Sequence, residues 1–387
     1  MSVTAAKGYV ASGVVAGIRR SAPDLALVRS LSPAVGGAVW TTNRVQAAPV
    51  EVSRRHLATA EPQAVVVNSG VANAATGAAG VADAERTAAV AAGLLRLRAD
   101  ELVVLSTGVI GVPLPMDRIL SGVSKAVASL SPDGGAAAAE AILTTDRGPK
   151  QAAVGVGAFT VGGMAKGAGM IHPRLATMLA IVTTDYPLEP GEAVDLLRPA
   201  VDASFNRISV DGECSTNDAV VLLANGASGI RRDHTTDAAF GTALHEICGD
   251  LARQIVGDGE GATVLLEINV SGASSEEEAL AIARRIATSP LVKTAAFGRD
   301  PNWGRVLAAA GSAPWNGGFA RLDPECLTVS FDGTPVFGNG MATGLTPEPQ
   351  GAAVTIELDL GLGSGSAAYL ASDLTYDYVR LNAEYTT

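Results

Sequence analysis

Short apolar runs recur along this chain and are separated by alanine-rich stretches. Ala64–Val67 and Leu102–Leu105 are strand-length runs of aliphatic residues, and each is followed by small polar residues and a glycine. Ala72–Leu97 is alanine-rich with few β-branched residues and predicts a helix, as does Met116–Leu130. Strands of this kind alternating with helices predict a mixed α/β (α+β) fold built from packed layers.

In the rest of the chain, strands and helices also alternate, but they do not follow a regular strand–helix–strand repeat. Ser275 followed by Glu278 is a capping box that opens a helix running to about Thr288, where Ser289-Pro290 stops it. The other helices are predicted at Gly135–Leu143 and Pro190–Ala203; strands are predicted for Asp24–Val39, Ala152–Val161, Thr177–Thr183, Thr263–Val270, Leu327–Phe331, Ala353–Leu360 and Tyr376–Asn382. We therefore expect a layered sandwich of sheets and helices, with the chain dividing into two halves near residue 177.

Composition and charge indicate a globular protein that binds neither nucleic acid nor membranes. Hydrophobic residues make up 48% and charged residues 17% of the 387 residues, which is ample for a large core. A net charge of −11 without a basic run argues against binding to nucleic acid or to an anionic membrane. The N-terminal apolar stretch precedes its charges, Arg19 and Arg20, which is not the secretory pattern. We expect a cytoplasmic protein.

Metal and nucleotide sites are not indicated by the sequence. The cysteines and histidines show no spacing typical of metal ligands, so we expect no metal and no bound cofactor. Three glycine-rich loops do not support a phosphate site. Lys166 follows Ala165 and does not complete the ending of a P-loop, Gly257–Gly261 carries two acidic residues, and too little chain follows Gly363–Ala368 for a strand–helix–strand unit. Tight backbone turns account for these loops more simply than a nucleotide site does.

Thr177 is a candidate for chemistry because of its neighbours. It follows the small residue Ala176 and a glycine-rich loop, and it starts an apolar run. A threonine hydroxyl is a weak nucleophile unless a base takes its proton. Cleavage of the Ala176–Thr177 peptide would free an α-amine with a pKa of about 8 beside that hydroxyl. On local chemistry alone, a structural threonine at the start of a strand is the simpler interpretation.

The segment Lys166–Ala180 resembles the self-cleavage motif of the ornithine acetyltransferases, the bifunctional glutamate N-acetyltransferases of arginine biosynthesis. Further segments similar to this family follow one another in order along the chain: Thr41–Arg44 with Ala47–Pro49, Ser106–Gly111, Thr144–Asp146, Ser209–Gly212, Ser215–Asp218, Asp258–Thr263, Gly298–Gly304 and Asp373–Thr387. A long, ordered set of this kind is far more specific than any single glycine loop.

The resemblance implies a self-cleaving enzyme of the N-terminal-nucleophile type. Cleavage between Ala176 and Thr177 would give an alpha chain of residues 1–176 and a beta chain of residues 177–387, with Thr177 as nucleophile. Thr107 and Gly108 resemble the family's oxyanion hole, one through its hydroxyl and the other through its backbone N–H. The positions that match substrate contacts are Thr144, Lys166, Thr177, Glu260, Asn382 and Thr387.

The implied reaction transfers acetyl from N2-acetyl-L-ornithine to L-glutamate through an acetyl-Thr177 intermediate, with ping-pong kinetics. No prosthetic group is required, and acetyl-CoA is left open as a second donor. The resemblance also implies a heterotetramer of two alpha and two beta chains. The alternatives are an N-terminal-nucleophile amidohydrolase or peptidase, which would use water as the acceptor, a non-catalytic binding protein for small molecules, and a nucleotide-binding protein.

Overall fold

The structure is a computed structural model that describes residues 2–172 and 178–384. Ala176, Thr177 and Thr387, three residues of the expected site, lie outside the described residues. The chain forms two compact units. The first holds residues up to 206 together with 213–255, and the second holds residues 207–212 together with 256–384.

The described strands and helices alternate along the chain. The strands are β1 (Tyr9–Val14), β2 (Leu25–Ser30), β3 (Val35–Trp40), β4 (Ala64–Val71), β5 (Leu102–Val109), β6 (Lys150–Val156), β7 (Phe159–Lys166), β8 (Leu179–Thr184), β9 (Ile208–Ser209), β10 (Ala219–Ala224), β11 (Leu265–Ala273), β12 (Pro314–Trp315), β13 (Gly318–Phe319), β14 (Thr328–Phe331), β15 (Thr334–Gly338), β16 (Met341–Ala342), β17 (Ala353–Asp359) and β18 (Gly365–Ser372). The helices are α1 (Ala48–Leu57), α2 (Gly77–Leu95), α3 (Met116–Ala128), α4 (Gly135–Ala141), α5 (Glu192–Ala203), α6 (His234–Gly257), α7 (Glu276–Ala287), α8 (Pro290–Phe297), α9 (Trp303–Gly311) and α10 (Tyr376–Glu384), with short 3-10 turns at Ala99–Glu101 and Phe205–Arg207.

The first unit packs two sheets face to face. One sheet has the strand order β1-β2-β4-β5 and the other β3-β10-β8-β7-β6. Their facing side chains, such as Val67 and Leu105 from one sheet and Ile181 and Val221 from the other, share one core. Helices α2 and α3 cover the outer face of the first sheet, while α5 and α6 cover the second. This helix–sheet–sheet–helix order confirms the predicted layered sandwich of mixed α/β class.

The two strands at the centre of the second of these sheets, β10 and β8, are apolar because both of their faces are buried. Every residue of β8 and β10 is buried. The two strands pair in parallel, with Leu179 opposite Ala219. Because a sheet covers each strand on one side and helices cover it on the other, both faces must be apolar.

The second unit is built on a sheet with the order β16-β15-β14-β17-β11-β18-β9. Strand β11 pairs in parallel with β17 and antiparallel with β18, and α7 packs against this pair. The Ser275 side chain accepts a hydrogen bond from the Glu278 N–H, as the capping signal predicts. The helix ends at Ala287, and Ser289 then caps a new helix, α8, that starts at Pro290.

The strand prediction for Tyr376–Asn382 is wrong, because this segment lies in helix α10. Tyr376 and Tyr378 are spaced as in a strand. Thr375, however, acts as an N-cap whose hydroxyl oxygen accepts from the Tyr378 N–H at 3.1 Å. An ion pair between Asp377 and Arg380, one helical turn apart, also favours a helix.

Other boundaries differ from the prediction in ways that matter for the site. The Ser106–Gly108 segment, predicted to end a strand in a turn, instead continues β5 to Val109. The single strand predicted for Ala152–Val161 is the hairpin β6–β7, with its turn at Gly157 in a left-handed conformation. The described part of the chain contains no helix that combines the length and the hydropathy needed to cross a membrane.

Candidate active site

The end of β5 has an irregular backbone that only glycine can adopt. Gly108 has φ +128°, and a Cβ atom there would lie 2.2 Å from the carbonyl carbon of Gly70 on the neighbouring strand. Opposite this point Val71 pairs with both Thr107 and Val109, so the ladder of β4 and β5 is bulged. The bulge re-aims the backbone at Thr107 and Gly108, the predicted oxyanion-hole pair.

A buried network of amides and a hydroxyl supports this bulge. The Ser106 hydroxyl donates to Asn68 Oδ1 at 2.6 Å, and Asn68 Nδ2 donates to the Val71 carbonyl at 2.8 Å. Asn217 Nδ2 donates to the Ser106 carbonyl at 2.8 Å. These bonds fix both strands on either side of the bulge, which gives the rigidity that a preorganised donor pair requires.

Lys166 lies against Thr107 although the two are far apart in sequence. Lys166 is the last residue of β7 and only 2% exposed, and its Nζ donates to Thr107 Oγ1 at 3.3 Å. Pairing of β7 with β8 sets Lys166 opposite Leu179, two residues after Thr177 in the chain. A buried ammonium beside a hydroxyl provides positive charge for a carboxylate or for a developing oxyanion.

Asp146 supplies the negative charge that such a buried lysine requires. Its side chain is fully buried, and its Oδ1 accepts from Lys150 Nζ at 2.5 Å and from the Gly167 N–H at 2.7 Å. Burial alone would raise the pKa of Asp146, but the charges of Lys166 and Lys150 outweigh it and hold that pKa well below its usual range. Asp146 belongs to the Thr144–Asp146 motif, but no role for it was predicted from the sequence.

The Asp146 carboxylate also holds the backbone of Thr144 in place, and Asp146 is the acceptor in the next contact. Its Oδ2 accepts from the Thr144 N–H at 3.0 Å, and the Arg19 guanidinium donates to the Leu143 and Thr144 carbonyls at 2.8 Å and 3.4 Å. Thr144 is therefore connected through Asp146 to the residues around Lys166.

Glu260 and Asn382 form a separate pair in the second unit. Asn382 Nδ2 donates to Glu260 Oε2 at 2.9 Å. The loop that carries Glu260 is held at Gly261, whose carbonyl accepts from the Thr375 hydroxyl at 2.8 Å. Gly261 has φ +67° and approaches the backbone of Tyr378 so closely that a side chain would not fit. The two predicted substrate contacts thus lie together, Glu260 on this loop and Asn382 in α10.

Sequence reasoning missed two polar residues that lie beside the predicted site in the first unit. Asn217, described above, contacts the strand that ends at the bulge, and the side chain of Asp218 accepts from the Met178 N–H at 3.0 Å. Both belong to the Ser215–Asp218 motif, whose run of polar residues directly before a buried strand was the available signal. Among the residues that the structure describes, no group of three or more His, Cys, Asp or Glu side chains is arranged to hold a metal.

Comparison with known proteins supplies the family. The ArgJ family matches residues 10–387. The chain belongs to the ArgJ family. It is 47% identical to the arginine biosynthesis bifunctional protein ArgJ of Symbiobacterium thermophilum, over 100% of this chain and 98% of that protein. It is 46% identical to the protein of the same name from Thermobifida fusca, with 100% of both chains covered.

A solved structure of an ornithine acetyltransferase from Mycobacterium tuberculosis, complexed with ornithine, is also similar. It shares 48% identity with a TM-score of 0.43, over 44% of this chain and 94% of that one. The family resemblance stated from the motifs is confirmed by the full-length matches. In this ArgJ-family chain the first unit brings together Thr107, Gly108 and Lys166 and links them to Thr144, while Glu260 and Asn382 meet in the second unit.

Proposed function

We propose that this enzyme transfers an acetyl group from N2-acetyl-L-ornithine to L-glutamate, which gives L-ornithine and N-acetyl-L-glutamate. Membership of the ArgJ family makes the chain an enzyme of arginine biosynthesis. The observation that carries the proposal is the buried contact between Lys166 Nζ and the Thr107 hydroxyl, next to the glycine bulge at Gly108. Acyl transfer requires a site of this kind, with donors aimed where negative charge develops.

In the first stage the enzyme matures by cutting itself. The Thr177 hydroxyl attacks the Ala176 carbonyl carbon, the Ala176–Thr177 amide bond breaks, and the α-amine of Thr177 is freed as an ester forms. Water then hydrolyses the ester and leaves an alpha chain that ends at Ala176 and a beta chain that begins with Thr177. The freed amine is the base that a threonine nucleophile needs.

In the second stage mature Thr177 carries the acetyl group. Its hydroxyl attacks the acetyl carbonyl of acetylornithine, the hydroxyl proton passes to the α-amine, and ornithine leaves with a proton. Glutamate then attacks the acetyl ester and regenerates the hydroxyl. Thr107 and Gly108 stabilise the oxyanion in both half-reactions, and no prosthetic group takes part.

The remaining predicted residues bind the amino-acid part of the substrates. Lys166 pairs with the α-carboxylate that acetylornithine and glutamate share, and Thr144 contacts the same part of the substrate. Glu260 offers the negative charge that an ammonium group requires, with Asn382 as its partner. Thr387 completes the set of substrate contacts.

Acetyl-transfer assays with acetylornithine test the reaction. With glutamate present we expect N-acetylglutamate and ornithine in equal amounts, and a Thr177→Ala variant should form neither. The Thr177→Ser variant keeps a hydroxyl and is the matched control. Acetate formed at the same rate with and without glutamate would instead establish an amidohydrolase.

The donor range and the assembly are tested separately. Glutamate acetylation with acetyl-CoA as the sole donor would show that the enzyme is bifunctional.

For the cytoplasmic enzyme we propose an assembly of two alpha and two beta chains. Light scattering coupled to size exclusion should then give the mass of two complete precursors.

A further inference from the structure

The loop that follows β1 is held by one buried carboxylate. Asp24 is fully buried. Its Oδ1 accepts from the Ala16 N–H at 2.6 Å, and its Oδ2 accepts from the N–H groups of Gly17 and Arg19 at 3.1 Å and 2.8 Å. Three backbone bonds to one side chain fix this loop, and with it the point from which the Arg19 side chain leaves the backbone.

From this point Arg19 reaches the segment that carries Thr144. Its Nη1 donates to the Leu143 carbonyl at 2.8 Å, and its Nη2 donates to the Thr144 carbonyl at 3.4 Å. The Thr144 N–H donates in turn to Asp146 Oδ2 at 3.0 Å. Both backbone polar groups of Thr144 are therefore held by charged side chains. A guanidinium presents its donors in a rigid planar fork, which suits two consecutive carbonyls.

The stem of Arg19 connects the same place to the glycine bulge. A Cβ atom at Gly70 would lie 3.0 Å from the Arg19 Cγ, so the stem packs against this glycine. Gly70 is the residue opposite Gly108 in the ladder of β4 and β5. One arginine thus contacts both the strand that supports the predicted oxyanion hole and the backbone of Thr144, a predicted substrate contact.

The loop itself does not depend on the Arg19 guanidinium. Its backbone is bonded to Asp24, and the Gly17 carbonyl accepts from Arg118 Nη1 at 2.6 Å. The hydrogen bonds of the guanidinium to residues 143 and 144 act on a different segment of the chain. This arrangement is typical of a side chain that orients a neighbouring segment rather than its own loop.

We propose that Arg19 is a positioning residue for substrate binding: its guanidinium fixes the carbonyls of Leu143 and Thr144 and so sets where the Thr144 hydroxyl meets the amino-acid part of acetylornithine and glutamate. This inference rests on the proposed function. Arg19 forms no bond to substrate and takes part in no proton transfer. Because both substrates share the amino-acid part, its loss should weaken binding in both half-reactions and leave the chemical step unchanged.

The Arg19→Met variant removes the donors and keeps a stem that can pack on Gly70. Leu143 and Thr144 are only half-buried, so water can take the place of the guanidinium and the variant should fold. We expect KM for acetylornithine and for glutamate to rise about 10-fold, as for the loss of one charge-assisted hydrogen bond, with kcat within about twofold of wild type. Ornithine binding to the mature enzyme, measured by calorimetry, should weaken by the same factor.

Arg118→Met is the matched control, because it removes an arginine–carbonyl bond from the same loop, at Gly17, without touching Thr144. It should leave both KM values near those of the wild type. A double-mutant cycle tests whether Arg19 acts through Thr144. In a Thr144→Ala background, Arg19→Met should raise KM by no more than about twofold, because the hydroxyl that Arg19 positions is gone.

Wild-type KM values in Arg19→Met, or a rise of the same size in the Thr144→Ala background, would overturn the role of Arg19 while the proposed function stands. A wild-type enzyme that forms no N-acetylglutamate from acetylornithine and glutamate would overturn the proposed function itself, and ornithine binding would then still decide the role of Arg19. If Arg19→Met does not fold, Arg19→Gln, which is neutral and shorter, replaces it with the same expectations.

Discussion

At the scale of single residues, the main feature of the site is a positively charged side chain, Lys166, that is almost completely buried. Lys166 is buried and donates to Thr107, an arrangement that is costly unless the charge is balanced. Asp146 provides the balance, because its buried carboxylate interacts electrostatically with Lys166 while it contacts Lys150 and Gly167. The candidate site therefore includes a carboxylate with no proposed contact to substrate.

Removing the Thr107 hydroxyl tests the oxyanion hole. Thr107→Val keeps the shape of the side chain but loses the donor, so kcat for acetyl transfer should fall by about 10²–10³-fold with little change in KM. Thr107→Ser keeps the hydroxyl and should retain most of the activity. Thr87→Val, another buried threonine, whose hydroxyl bonds within helix α2, is the control for the substitution itself. Equal kcat values for Thr107→Val and wild type would exclude the role.

Neutralising Asp146 tests the charge balance. Asp146→Asn leaves two buried lysines undercompensated and should lower the free energy of unfolding by about 3–5 kcal/mol at pH 7. The folded-state pKa of Asp146 is lowered, so its contribution is complete above about pH 4 and is lost as the pH falls further toward the folded-state pKa. Urea unfolding at pH 7 and pH 3 measures the difference between variant and wild type, which should be smaller at pH 3.

The surface pair of Arg98 and Asp100 provides the matched control, because Asp100→Asn removes an exposed ion pair. That variant should unfold almost like the wild type at pH 7. A similarly small effect from Asp146→Asn would show that the buried lysines do not depend on the carboxylate.

At the scale of elements, the glycine bulge connects sequence and function most directly. A Cβ at Gly108 would overlap the backbone of Gly70, and neither strand can move without breaking the network around Asn68 and Asn217. The Ser106–Gly108 sequence indicated a break in a strand but not its form. Whether a glycine ends a strand or bulges it depends on the neighbouring strand, which the local sequence does not contain.

Gly108→Ala is therefore expected to be strongly destabilising and inactive. Gly111→Ala is the control, since Gly111 also has a positive φ of +79° but has open space where a Cβ would lie. That control should cost only about 1–2 kcal/mol of unfolding free energy for the left-handed backbone. Urea unfolding of both variants separates the two effects. Equal losses would mean that backbone conformation alone, and no contact with Gly70, requires glycine at 108.

Much of the fold followed from local pattern. The buried strands β4 and β5, helices α2 and α3 and the Ser275 cap were predicted because each satisfies its own periodicity or capping rule. Helix α10 was missed although Thr375, one residue before it, is a good N-cap residue. The contacts of Asp146 and Asp218 could not be predicted, because they join distant segments through tertiary packing.

The roles of the site residues came from the family resemblance rather than from local chemistry. The full-length matches confirm the family, and the contact between Lys166 and Thr107 is consistent with one site. The catalytic roles of Thr177, Thr107 and Gly108 and the substrate contacts stay predictions.

At the scale of the whole molecule, the proposed cut falls inside one sheet. Strands β3, β7 and β6 precede residue 177 and strands β8 and β10 follow it. The later pair lies between the earlier strands, in the order β3-β10-β8-β7-β6. Six residue pairs join β7 to β8, from Val161 with Thr184 to Lys166 with Leu179. Separating the two chains would break the sheet and expose its core.

The cleaved chains should therefore stay together without a covalent bond. We expect residues 1–176 and 177–387 to elute as one species on native size exclusion and to separate only in denaturant. An alpha chain that elutes alone in native buffer would contradict this topology or the position of the cut.

Denaturing mass spectrometry of the purified protein, before and after incubation with N-acetylornithine alone, tests the central claim most directly. We predict two chains, the second beginning at Thr177, and a gain on that second chain equal to one acetyl group, located on the Thr177 residue by fragmentation. Adding glutamate should remove the acetyl group. A single intact chain, or acetyl carried by any residue other than Thr177, would contradict the account.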